Sequence, residues 1–144
     1  MKTLARLLCI VFLCGCAAAD SNTSGVSGNA CADPRATMQS VALNASTTSA
    51  VQLIALSGTT KIHVCGITVL GGGTTPTFSL VYGTGSNCGT GQAVLVTAIA
   101  IPTAAPAQVF HSPTGVTPAA QALCTLLTGT SPTAKGVLSY VQQQ

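Results

Sequence analysis

Apolar and polar positions in this chain alternate with a period of two, in short runs cut by Gly, Pro, Asn and Ser. Phe78, Leu80 and Tyr82 alternate with Ser79 and Val81, the pattern of a strand covered mainly on one side. Ile62 and Val64 share a face, yet Ile67 and Val69 regain it only if one extra residue is absorbed near Cys65 and Gly66. A β-bulge is expected there. Gly71-Gly72-Gly73-Thr74-Thr75-Pro76 separates the two runs and the glycine-rich Gly83–Gly91 segment follows them. Residues suited to positive or fixed φ at these places predict turns, the first of them joining a hairpin.

Further runs read as strands at Ser40 to Leu43, Ala50 to Leu56, Gln108 to His111, Ala122 to Leu127 and Ala134 to Val141. Ala93 to Ile101 is apolar on both faces, as an inner strand covered on two sides would be. Pro102 and Pro106 end it. Thr117 before Pro118-Ala119-Ala120 has the pattern of a capped turn of helix. About eight short strands without sustained helical periodicity predict an all-β chain, an antiparallel two-sheet sandwich of jelly-roll-like or Greek-key type.

Lys2 and Arg6 precede the apolar run Leu7 to Leu13, and small residues lead from there to Asp20. This is the pattern of a secretory signal over residues 1–19. Ala17-Ala18-Ala19 fits release of a soluble product, whereas Leu13-Cys14-Gly15-Cys16 resembles a lipoprotein signal over residues 1–15, with Cys16 as the lipidated residue. Cys14 is unusual at its place in that pattern. Residues 20–33 are rich in Ser, Asn and Gly and read as a flexible linker; residues 34–144 form the sandwich domain. The chain is therefore expected outside the cytoplasm, in the periplasm or medium or lipid-anchored to a bacterial envelope. A lipid anchor is the one expected membrane attachment, since no other stretch is long and apolar enough to span a bilayer.

Either cleavage leaves Cys31, Cys65, Cys88 and Cys124. An even number in an exported chain favours two disulfides. No Cys-x-x-Cys pair is present, which argues against zinc and thiol-redox chemistry. Three connectivities can join four cysteines. Cys31 with Cys65 and Cys88 with Cys124 is favoured, because Cys88 follows the Phe78 strand and Cys124 opens a late strand able to run antiparallel beside it.

Charge changes the functional picture more than the fold. Charged residues are 5% of the chain, against a usual ~25%. Without the leader, Arg35, Lys61 and Lys135 stand against Asp20 and Asp33, a net charge of about +1. Nucleic acid is excluded as a partner, because a phosphate backbone requires clustered Lys and Arg. With no carboxylate after Asp33, neither a carboxylate pair nor a Ser-His-Asp triad is available within the domain. His63 and His111 lack an acidic third metal ligand, and a Cys-His nucleophile would need an unbridged cysteine. No catalytic residue, metal site or cofactor is expected. The Gly83–Gly91 segment has no Gly-Lys-Ser/Thr and reads as a turn rather than a phosphate loop.

Phe78, Tyr82, Phe110 and Tyr140 are few enough to be needed in the core, but an exposed pair would suit a sugar. Tyr82, Asn87, Gln92 and Tyr140 are the candidate ligand face. Val64-Cys65-Gly66, Val81-Tyr82-Gly83-Thr84-Gly85, Asn87-Cys88-Gly89-Thr90-Gly91, Ala122-Leu123-Cys124 and Gly136-Val137-Leu138-Ser139-Tyr140 resemble a group of small exported or phage-associated bacterial β-domains. The resemblance spans roughly Ser40 to Gln142 and implies a cysteine-stapled sandwich, with no known activity. The expectation is a non-enzymatic envelope or surface module with a structural, coat or adhesion role, associating with itself or with a cell-surface or glycan partner. The alternatives are a carbohydrate- or small-ligand-binding module and a phage-derived virion accessory or surface domain.

Overall fold

The computed structural model describes residues 29–104, 107–110 and 115–144. The leader, the lipidation candidate Cys16, most of the expected linker and His111 lie outside them. Among the described residues, seven antiparallel strands form one continuous sheet: β1 (Gln39–Ala45), β2 (Val51–Ile54), β3 (Lys61–Thr84), β4 (Thr90–Ala100), β5 (Gln108–Phe110), β6 (Gly115–Val116) and β7 (Ala122–Gln143).

β3 runs for 24 residues and β7 for 22. They pair with each other from Lys61↔Gln143 to Gly83↔Ala122. Midway, both strands bend together. Gly73 and Thr75 on β3, and Gly129 and Ser131 on β7, adopt positive φ, and the register shifts between Gly72 and Thr77. Gly71–Pro76 is therefore a corner within one strand and does not join a hairpin. Residues that suit a reversal also suit a sharp bend, and the matching Gly129 and Ser131 let the partner follow without leaving the ladder. Ala122–Leu127 and Ala134–Val141 are likewise two arms of one strand. These two mergers, with β6 as an unforeseen addition, account for seven strands where about eight were expected.

The corner folds the sheet over itself into the expected antiparallel sandwich. One layer holds β1, the later half of β7, the first half of β3, and β5 and β6; the other holds β2, the first half of β7, the second half of β3, and β4. Their inner faces share one core. Leu43, Ile62, Val64, Ile67 and Leu138 come from the first layer and Ile54, Phe78, Leu80, Leu123 and Leu127 from the second. Each side chain of this size contributes about 1.5–3 kcal/mol by leaving water. That sum fixes register, because a one-residue slip would turn the whole set outward.

The bulge expected at Cys65 is present: Val64 pairs with Tyr140 and Gly66 with Ser139, with Cys65 between them. It takes Cys65 out of the main core and into an outer cluster with Ala30 and Val141. There it is bonded to Cys31, while Cys88 is bonded to Cys124, the pairing favoured from the strand order. Each bridge staples a connecting segment over the outside of one layer. Residues 29–36 cover Cys65 and Val141, and the 3-10 turn Ser86–Cys88 covers Val81 and Cys124. Sequence separations of 34 and 36 correspond to roughly 4 kcal/mol of chain-entropy stabilisation for each bridge.

Three local expectations fail for physical reasons. The Phe78–Tyr82 run is buried on both faces, with Ser79 and Val81 as well as Phe78 and Leu80 out of solvent, because the turn stapled by Cys88–Cys124 covers Val81 from outside. β4, which holds the Ala93–Ile101 run except its last residue, is an edge and pairs with β3 alone. Three register shifts each place an extra residue on β4, so side chains of both phases reach the core in turn. Leu95 and Val96 both pack against it, whereas Val94 is 59% exposed. Thr117 caps no helix. Its hydroxyl accepts the Ile62 N–H at 3.0 Å, its own N–H donates to the Ile62 carbonyl, and the following residues form a turn.

A β-carbon at Gly129, whose φ is +119°, would lie 2.8 Å from the Thr74 carbonyl oxygen; at Gly91, whose φ is +61°, it would meet nothing within 4 Å. In urea unfolding, Gly91→Ala is expected to cost about 1 kcal/mol of backbone strain. Gly129→Ala should cost about 2 kcal/mol more, from overpacking at the corner. Equal losses would contradict the close crossing of the two strands there.

Candidate functional site

Beyond the stapled residues 29–36, the outer face of the first layer carries little charge. The register aligns Ala42 with Val137, Val137 with Thr68, and Thr68 with Val109, in one row across four strands. All four residues are exposed, Val137 by 47% and Val109 by 45%. The adjoining row, Asn44, Lys135 and Leu70, contains one charge. Met38, Leu56, Val94 and Val116 add exposed apolar side chains elsewhere. Such a surface can pack against another sheet.

The four residues of the candidate ligand face are distributed over both layers. Tyr82 is half-buried on β3, where it pairs with Leu123 and Ala93; Gln92 is exposed on β4. Asn87 lies in the turn between these strands with φ of 52°, and its Oδ1 accepts the Gln52 N–H of β2 at 3.1 Å. The side chain thereby ties the stapled turn to an outer strand. Tyr140 lies in the other layer, packed against the core, and its hydroxyl donates to Gln39 Oε1 at 2.8 Å. The other two aromatics among the described residues serve the core: Phe78 is fully buried and Phe110 packs against the core.

The stapled amino-terminal segment forms a cleft of about 490 Å³ with Gln143, and Asp33 and Arg35 both line it. Asp33 Oδ1 accepts the Arg35 N–H at 2.9 Å, which makes the pair a local turn. Among the described residues, no three His, Cys, Asp or Glu side chains come together as metal ligands would. No family model matches this chain, and neither the curated proteins nor the solved structures provided a match.

His63 sits on β3 between Val116 and Val141 in the pairing, with Lys61 two residues away. Partial burial, and then the Lys61 charge, lower its pKa from the ordinary 6.5. The sign follows from linkage. Above 6.5 both folded and unfolded His63 are neutral and its contribution is complete. As pH falls through the lowered folded value, the unfolded chain has already bound the proton and that contribution is lost. Stability from urea unfolding should therefore decline below pH 6.5, and His63→Gln should flatten that decline. An unchanged slope in the variant would assign it elsewhere.

Proposed function

We propose that this chain is an exported β-sandwich that acts by association on the outside of a bacterial cell, as a coat, structural or adhesion element without catalytic chemistry of its own. The observation that carries this reading is the exposed row Ala42, Val137, Thr68 and Val109, on a domain whose only formal side-chain charges after Arg35 are Lys61 and Lys135. A surface with so little mixed charge offers weak electrostatic resistance to association. It suits a protein held at a surface or in an assembly.

The rest of the chain is consistent with that setting. Two disulfides are compatible with an oxidising compartment. The basic, apolar and small-residue order of residues 1–19 is that of an export signal, and Cys16 supplies a lipid-attachment residue if the lipoprotein peptidase acts. Among the described residues, no helix is long and apolar enough to cross a membrane. The carbohydrate-binding alternative has less to draw on. Asn87 Oδ1 and the Tyr140 hydroxyl are already engaged within the domain, so Tyr82 and Gln92 would have to carry it.

The test is expression of the full chain in a bacterium, followed by fractionation and intact-mass measurement without and with reduction. Mature protein in the envelope or medium, starting at Asp20 or carrying a diacylglyceryl group on Cys16, with all four later cysteines protected, is the expected result. Full-length protein with free thiols in the cytoplasm would overturn the reading.

A further inference from the structure

The sandwich has four lateral edges among the described residues, and three of them are poor templates for a further strand. β4 carries three register shifts against β3, and bulges twist an edge away from a straight partner. β5 and β6 have three and two residues. β2 has four, with a register shift between Gln52 and Ile54, and the Gln52 N–H is bonded to Asn87.

β1 is different. It pairs with β7 at all seven of its residues, Gln39↔Tyr140 through Ala45↔Ala134, with no shift. Its sequence, Gln-Ser-Val-Ala-Leu-Asn-Ala, contains no charge and no proline, the usual devices that block an edge. Among the described residues, no strand pairs with its other side. A regular strand presents alternate N–H and C=O groups along that side, and only another extended backbone satisfies them in series.

We infer that the β1 edge is the self-association site, and that its occupant is β1 of a second copy, antiparallel about a two-fold axis at Ala42. A seven-residue strand centred on Ala42 is complementary to itself in that register. Val41 meets the second copy's Leu43 on the inner face. Ser40 meets its Asn44 on the outer face, and the small Ala42 meets its own equivalent at the axis. No like charges face each other across the pair, so the contact is not opposed electrostatically. The two first layers become one continuous sheet, and the exposed row through Val137, Thr68 and Val109 extends across both copies. The inference rests on the association reading given above and names its surface and partner.

Sedimentation of the mature chain tests it, with Ala42→Lys, Ala42→Glu and Val94→Lys compared at matched concentration. Ala42 and Val94 are both exposed, and thermal unfolding confirms that each variant is folded. The expected result is a dimer for the parent chain and for Val94→Lys, monomers for each Ala42 variant alone, and a restored dimer when Ala42→Lys and Ala42→Glu are mixed. Restoration on mixing is specific to residue 42 facing residue 42 across the axis. A dimer that survives both Ala42 substitutions would overturn the β1 edge while leaving association intact. A parent chain that is monomeric at every attainable concentration would overturn self-association altogether and leave the export and surface reading to the fractionation test.

Discussion

The structure depends on one backbone constraint: the ladder between β3 and β7 must remain paired through a sharp bend. A single strand that turns a corner would expose a stretch of N–H and C=O groups, and each one left buried and unpaired costs about 1–3 kcal/mol. Two strands that bend at the same level keep one another satisfied. This requires backbone freedom at facing positions, and Gly73 with φ of 96° opposes the Gly129 region with φ of 119°. The cross-strand hydroxyl pair Thr77–Thr128, at 2.6 Å, closes the second arm next to the corner.

Everything else is placed by that bent ribbon. Each half of the ribbon forms the centre of one layer, so every remaining strand is lateral and pairs with β3 or β7 alone. The inner faces meet because the corner brings them together, and a single core results. The outer faces receive the two disulfides. Cys65 reaches the outside through the bulge, and Cys124 lies on the outward phase of β7 beside Val81. The exposed row and the four edges follow from the same arrangement, which links a backbone constraint to the surface that carries the proposed function.

Features set by neighbours in sequence were legible before the fold was known. The extra residue at Cys65 and the glycine-rich turn before β4 are local patterns, whereas the cover over Ser79 and Val81 on the second face of the Phe78–Tyr82 run is not. The disulfide pairing followed from strand order. What failed required a partner from far along the chain. Gly71–Pro76 has the composition of a turn, and only Gly129 and Ser131, more than fifty residues later, make it a corner. Ala93–Ile101 resembled an inner strand because its bulges consume both side-chain phases. The same limit applies to the site: no local signal marks Asn87 for the Gln52 N–H or Tyr140 for Gln39, whereas the poverty of charge that shapes the surface is visible in the sequence directly.

The most direct test of this central constraint is native-state hydrogen exchange of β3 and β7, read amide by amide across the corner. A single bent ribbon opens as one cooperative unit, so hydrogen-bonded amides on both arms, Ile62–Val69 and Phe78–Tyr82, should share one opening free energy, equal to that of global unfolding. Two arms that open independently, with distinct free energies separated at residues 71–76, would show two hairpins joined by a loop and would contradict the architecture described.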